Sequence, residues 1–469
     1  MKSVALHNLG CKVNAYEIEN MQQKLEQRGY LIVPFDSKAD VYIVNTCTVT
    51  NIADRKSRQM LHRAKKMNPD AVVVAVGCYV QTGEEQVEKD ECIDLAVGNN
   101  RKKDIVEILE AFLEKREEQK QSAFLSDVID INHTDEYEEM RLEHTAEHTR
   151  AYIKIQDGCN QFCSYCIIPY ARGRVRSRKP EDVLAEIRGL AANGYREVVI
   201  TGIHLSSYGM DFIGKNDGDY LEGGKDLRKT AFERAYLLSL IEDIAKVEGI
   251  ERIRLGSLEP RIITESFVKR LSSIKKVCPH FHLSLQSGSD ATLKRMNRHY
   301  TAGEYYEKVE LLRKGFDNPA ITTDVIVGFP QESEEEFEET KAFLEKVHFF
   351  EMHIFKYSRR KGTVADKLTG QLTDAQKTVR SAQLLEMESR HSKEYRSTYL
   401  GKEIEILLEE KKEIGGKHYW IGHTKTYVKA AVCAEEGAEG LGENRIIRAE
   451  AKAFLTDEIL LAQQASLIG

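Results

Sequence analysis

No run of apolar residues in this sequence approaches the roughly 18 that would cross a bilayer. The opening Met1-Lys2-Ser3-Val4 leads into a strand-like stretch, not into the apolar core a signal peptide would need. The expectation is therefore a cytoplasmic protein with no membrane partner. Net positive charge is missing as well: Lys and Arg number 68 against 75 Asp and Glu, a formal charge of −7. That balance excludes a uniformly basic nucleic-acid binder and leaves room only for a local basic face. Global disorder has no footing either, because 41% hydrophobic and 30% charged residues can build real cores. In a reducing compartment the nine cysteines are poor disulfide candidates, and metal binding or catalysis is the better default.

What is there is a long chain of 469 residues, more than one hydrophobic core usually serves, so two or three domains are expected. From Val4 to about Phe112, β-branched runs alternate with amphipathic stretches. The pattern predicts strands at Val4–Leu9, Val41–Asn45, Val72–Val76 and Asp94–Val97, with helices near Ala15–Gln27 and Asp54–Lys66, hence an open parallel α/β sheet over 1–115. Residues 116–148 turn charged and aperiodic and read as a linker. A second alternation fills 149–370, with strands at Ala151–Ile155, Glu197–Thr201, Arg252–Gly256, His282–Leu285, Ile321–Val327 and Phe350–Phe355, which suits a partial (βα)6 barrel. A polar, Gly-rich segment, Gly209–Thr230, interrupts it as an inserted loop. A connecting helix over 371–399 precedes β-rich residues 400–469, which suggest a small antiparallel β-barrel.

Two sets of cysteines carry the chemistry. Cys159, Cys163 and Cys166 follow the first strand of the second alternation with C-x3-C-x2-C spacing. Three thiolates in one tight loop can hold three irons of a cubane and leave the fourth open to a ligand. The competing reading is a zinc knuckle, but zinc prefers four ligands in C-x2-C pairs and no fourth Cys or His lies close in sequence. Cys11, Cys47 and Cys78 each follow a predicted strand directly. In a parallel sheet all strand C-termini share one edge, so three thiols placed alike converge on one crevice. A second cubane with an open iron fits that placement, while three scattered buried thiols remain the plain alternative. Cys92, Cys278 and Cys433 lack such company and read as ordinary thiols.

The C-x3-C-x-aromatic-C motif at the first strand of a six-unit βα barrel resembles the radical S-adenosylmethionine (SAM) signature. The resemblance implies that SAM chelates the open iron and is cleaved to a 5′-deoxyadenosyl radical. It also places Tyr165, Gly202, Ser284, Gln286 and Asp324 at strand ends beside the cofactor, where active sites of βα barrels are built. For Gly202 the bland reading, a turn glycine, stands beside the functional one. Pairing of this core with the N-terminal cysteine domain and a C-terminal barrel is similar to the methylthiotransferase family over nearly the whole chain. The stretch Gly10-Cys11-Lys12-Val13-Asn14 looks most like the branch acting on N6-threonylcarbamoyladenosine beside the tRNA anticodon. Sister branches act on isopentenyladenosine or on an aspartate of a ribosomal protein. The resemblance implies two [4Fe-4S] clusters, SAM, a tRNA partner and an electron donor of the flavodoxin or ferredoxin type. A non-catalytic iron–sulfur RNA-binding protein is the alternative from another class.

For RNA, the run Arg172, Arg174, Arg176, Arg178 and Lys179 offers forked donors for phosphates, against the plain reading of a solvated charge run. The C-terminal barrel resembles a TRAM module, with Trp420, Tyr427 and Lys429 among its interleaved aromatic and basic residues. These suit base stacking and phosphate contact, while Trp420 and Tyr427 equally suit a barrel core.

Overall fold

The computed structural model describes residues 2–119, 124–144, 149–212, 235–434 and 441–467. Most of the Gly209–Thr230 insertion lies outside the described residues.

The first unit is an all-parallel sheet in the order β2-β1-β3-β4-β5-β6. Its strands are β1 (Ser3–Asn8), β2 (Leu31–Val33), β3 (Val41–Thr46), β4 (Val72–Gly77), β5 (Leu95–Val97) and β6 (Leu125–Asp127). β3 and β4 are buried at every position, as continuous apolar runs must be when helices cover both faces. One face packs on helix α1 (Lys12–Gln27) and helix Ile105–Gln119 through Ile18, Met21, Leu109 and Phe112. The other packs on helix α2 (Asn51–Met67) through Leu61 and Ala64. β2 and β6 escape the sequence pattern because they are three-residue edge strands with no fully buried position, whereas the equally short β5 is buried throughout. β6 lies inside the segment expected to be a linker, and Met140 and Leu142 further along it are buried against Tyr16 of α1. The described part of that crossing segment is thus docked on both units.

The second unit comprises β7 (Ala151–Asp157), β8 (Arg176–Ser177), β9 (Glu197–Gly202), β10 (Arg252–Leu255), β11 (His280–His282), β12 (Ala320–Val327) and β13 (Glu351–Lys356). β7-β9-β10 and β11-β12-β13 are parallel, and bridges Ile253↔Val277 and Leu258↔Leu283 join the two sets. Six parallel strands thus form a partial barrel, while the short β8 pairs antiparallel with β7. Alternate strand residues such as Ile153, Val198, Ile253, Phe281 and Val325 pack outward with helix residues Ile187, Ile241, Val309 and Leu344. By strand alternation the other positions, among them Lys154, Glu197, Arg254, His280, His282, Asp324 and His353, face the barrel interior. β11 ends three residues short of expectation. Beyond it Gln286 takes φ 75°, bending the chain before its isolated bridge to Val325.

Helix Asp374–Ser397, opened by a capping box between Thr373 and Gln376, leads to the third unit. There β14 (Glu403–Ile414), β15 (Lys417–Thr424), β16 (Lys429–Cys433), β17 (Ile446–Thr456) and β18 (Ile459–Leu467) close a barrel in the order β14-β15-β16-β18-β17. All neighbours are antiparallel except β16 and β18, which run parallel. This barrel docks under the N-terminal ends of β9 and β10. Arg252 donates to Glu405 Oε1 (2.9 Å) and to the His423 carbonyl (2.9 Å), and Arg254 to the Lys425 carbonyl (3.0 Å). No helix among the described residues is long and apolar enough to cross a membrane.

Candidate active site

β1, β3 and β4 lie side by side, so Cys11, Cys47 and Cys78, at or just past their ends, emerge at one sheet edge. Gly10 makes the approach possible: at φ 106°, an added Cβ would sit 3.1 Å from Cys47 Sγ. Cys47 and Cys78 are buried and Cys11 keeps exposed surface. Burial raises the Cys11 thiol, against the pull of Arg172 and with Cys78 adding to the rise. Burial, and then the neighbouring Cys78, push the Cys47 thiol up to about 12.

The second set occupies the loop after β7. Gly158, at φ 71°, lets the loop lie against the chain at Arg174; a Cβ there would fall 1.8 Å from the Arg174 carbonyl oxygen. Cys159 N–H donates to the Gly173 carbonyl (3.0 Å), and Cys166 N–H to the Cys163 carbonyl (2.9 Å). Arg298 Nη1 donates to Cys163 Sγ (3.3 Å) and the Gln161 N–H approaches Cys159 Sγ (3.5 Å). Burial raises the Cys166 thiol, with Cys163 and Cys159 adding to it.

The donor chemistry fits iron–sulfur clusters better than single ions. Around one zinc, sulfurs 2.3 Å from the metal stand about 3.8 Å apart. Among the described residues the trios of ligand atoms lying within 4.8 Å of one another are His62, Asp90, Cys92 and His282, Asp324, His353, and neither cysteine set is among them. Neither set is thus drawn together as the ligands of a single ion would be, and three thiolates with one iron left open is the ligand count that suits a cubane.

A buried network ties the two edges together. Asn99 Nδ2 donates to Cys78 Sγ (3.4 Å) and to the Ala171 carbonyl (2.7 Å), just past the second cysteine loop. Arg172 donates to Asn14 Oδ1 (2.6 Å) and to Glu17 Oε1 (2.7 Å) of α1, and lies 3.2 Å from Asp157. Lys154 and Lys102 also pair with Glu17. Burial by itself would raise the Glu17 carboxyl, but Arg172, Lys102 and Lys154 together hold it well below its ordinary range.

Most residues expected to meet the cofactor line the mouth of the barrel. Tyr165 packs edge-on against Phe329 (6.5 Å) near Cys163 and Arg298. Gly202 has Gln156 3.0 Å from where its Cβ would stand. The Ser284 carbonyl accepts from Tyr300 Oη (2.5 Å) and Arg298 Nη2 (3.2 Å). Gln286, at positive φ, hydrogen-bonds through its backbone to Asp324 and Ile326 (2.9 Å each). Asp324 faces His282 Nε2 at 3.2 Å, with His353 stacked on His282.

The basic run after the cysteine loop is corrected by its burial. Arg172, Arg176 and Arg178 are each 1% exposed. Arg172 serves the Glu17 network, Arg176 donates to the Arg172 and Arg174 carbonyls, and Arg178 pairs with Glu186 and Glu139. Their guanidinium groups are committed inside and are not free for phosphates. Arg174 alone of the four is partly exposed, stacked on Phe162 at 4.6 Å. Tyr427 likewise is no free stacking platform: it lies between the Arg150 and Arg254 guanidiniums (4.9 and 4.7 Å) and against the His280 and His423 rings, sealing the third unit to the barrel floor. Trp420 packs half-buried on the third unit's core, and Lys429 is half-buried.

Asn99, Glu17 and Arg298 are absent from the sequence reading. Asn99 was within reach of it, because Gly98-Asn99-Asn100 follows β5 at the same strand-end edge as Cys47 and Cys78. Glu17 and Arg298 carry no local signal, since Arg172 and Cys163, the partners that tie them to the site, lie 155 and 135 residues away.

Comparison with known proteins agrees with this geometry. Residues 153–344 match the family described as "Radical SAM superfamily" and residues 3–98 match "Uncharacterized protein family UPF0004". The threonylcarbamoyladenosine tRNA methylthiotransferase of Bacillus subtilis (strain 168) is 39% identical over 441 residues, covering 94% of this chain and 92% of that protein. Its namesake from Aquifex aeolicus (strain VF5) is 40% identical, covering 89% and 95%. A tRNA-2-methylthio-N(6)-dimethylallyladenosine synthase from Acetivibrio thermocellus is 35% identical, covering 87% and 81%. Among solved structures, the radical SAM methyltransferase TsrM from Kitasatospora setae has a TM-score of 0.54 over 78% of this chain and 77% of that one, at 16% identity, which shows a shared fold.

Proposed function

The chain belongs to the radical SAM methylthiotransferase family, and from that premise we propose that it adds a methylthio group to C2 of N6-threonylcarbamoyladenosine at position 37 of tRNA. One observation carries the reading: Asn99 bonds both Cys78 of the first cysteine set and the chain just beyond Cys166 of the second. Two sites meant to act on one base must share a cleft, and this contact supports that arrangement.

When bound, two [4Fe-4S] clusters and SAM supply the one-electron and sulfur chemistry that an unactivated aromatic C–H bond demands. The chain's own residues position it. Cys159, Cys163 and Cys166 hold one cluster, and Arg298 orients Cys163 while bracing the Ser284 backbone. Cys11, Cys47 and Cys78 hold the second, with Asn99 donating to Cys78. Glu17, Arg172, Lys154 and Asp157 lock the two edges in register and keep water from the interface. Tyr165, Gly202, Gln286 and Asp324 offer the mouth of the barrel to the cofactor. Arg174, Trp420 and Lys429 are the remaining candidates for RNA contact. A cytoplasmic setting and an electron donor of the flavodoxin or ferredoxin type complete the proposal.

The test is mass analysis of tRNA nucleosides from cells lacking this protein. Loss of 2-methylthio-N6-threonylcarbamoyladenosine, with its unthiolated precursor accumulating, is expected. An unchanged nucleoside, or loss of the isopentenyl derivative in its place, would overturn the assignment.

A further inference from the structure

Lys12 is the first residue of α1, next to Cys11. The charges that act on it come from around the partial barrel: Arg254 on β10 and Arg150 beside β7 weigh more than its neighbour Cys11, and Glu197 on β9 follows. His280 on β11 and His353 on β13 feel Lys12 in turn. Lys12 keeps exposed surface beside Cys11, and charged groups on or beside five of the six parallel strands lie close enough to interact with it. The other cations there are committed. Arg252 pairs with Glu405, Arg254 with Glu197 and Arg150 with Glu409. Among the described residues no carboxylate stands within ion-pair distance of Lys12. His280 adds an inward-facing ring whose Nδ1 has no hydrogen-bond partner.

An unpaired ammonium in a cleft lined by arginines and histidines favours an anion. Resting on the function proposed above, the substrate brings one: the threonylcarbamoyl group on N6 ends in a carboxylate. C2 and N6 flank N1 on one edge of the purine, so with C2 held at the cluster edge the N6 substituent lies close beside it. Lys12 starts at that same edge, next to Cys11. We propose that Lys12 receives the threonylcarbamoyl carboxylate and so selects this substrate over adenosines whose N6 substituent is uncharged. His282 and His353, stacked on the facing strands, supply ring nitrogens for the ureido and hydroxyl groups.

The test uses reconstituted holoenzyme and anticodon stem-loops carrying adenosine, N6-threonylcarbamoyladenosine or its uncharged methylamide. The parent should bind and methylthiolate the carboxylate form at least about tenfold better than the amide, the scale of one charge-assisted hydrogen bond. Lys12→Gln should erase that preference and Lys12→Arg retain part of it, with iron content and 5′-deoxyadenosine release at the parent level. A Lys12→Gln enzyme that keeps the full preference overturns the inference while the function stands. So does a variant in which only the reduction potential of the N-terminal cluster moves, since Lys12 is then that cluster's counter-ion. A parent that methylthiolates none of these RNAs overturns the function itself and this inference with it, a result visible without any variant.

Discussion

Glu17 Oε1 accepts from Arg172 Nη1 at 2.7 Å, a contact between the first helix of the N-terminal unit and the chain just past the radical-generating cysteine loop. Both residues are 1% exposed or less. Three cations share this one carboxylate, so removing its charge leaves buried cations short of a partner.

Glu17→Gln should therefore cost about 3–5 kcal/mol, the usual penalty for stripping one partner from a buried ionic network. Denaturant unfolding of the reconstituted protein measures it. A loss under about 1 kcal/mol would show that the network is dispensable to docking.

Iron content separates the two cysteine sets. The reconstituted parent should carry about eight irons, and the protein with Cys159, Cys163 and Cys166 all changed to Ala about four. A parent holding about four irons, or zinc, contradicts the two-cluster reading.

The clusters should also divide the labour. Cys47→Ala, reduced and given SAM, should still release 5′-deoxyadenosine but form no methylthiolated nucleoside, whereas Cys163→Ala should abolish both products. Circular dichroism and tRNA affinity must first show that the variants are folded, because a lost metal ligand can unfold a domain. A folded Cys47→Ala enzyme that thiolates at the parent rate removes Cys47 from the ligand set.

The buried arginines make a contrasting pair of predictions for RNA binding. Arg178→Ala should lower stability yet leave the salt dependence of tRNA binding unchanged, since its guanidinium is spent on Glu186 and Glu139. Arg174→Ala should flatten that dependence by roughly one unit of log–log slope if it contacts one phosphate. The reverse pattern would mean that RNA binding rearranges this segment.

Gly158→Ala tests the cysteine loop without touching a ligand. At φ 71° with a carbonyl oxygen 1.8 Å from its Cβ position, the loop must move, and strain of order 1–3 kcal/mol is the minimum expected. Iron content of the radical-generating site should fall while the N-terminal site keeps about four irons. Full iron loading at both sites would show that the loop tolerates the shift.

The sequence by itself determined the repeating βα pattern and the six cysteines, because strand periodicity and ligand spacing are local properties that survive without a fold. The convergence of Cys11, Cys47 and Cys78 was legible too, since in a parallel sheet every strand end lies on the same edge. Only the tertiary structure decided what the arginines after Cys166 do. A run of cations reads as a solvated face until acids distant in sequence, here Glu17, Glu139 and Glu186, are brought beside it. The same holds for Tyr427, an aromatic in a β-rich segment whose neighbours Arg150, Arg254 and His280 belong to another unit. Burial and ion pairing depend on which surfaces meet, and spacing along the chain carries no record of that.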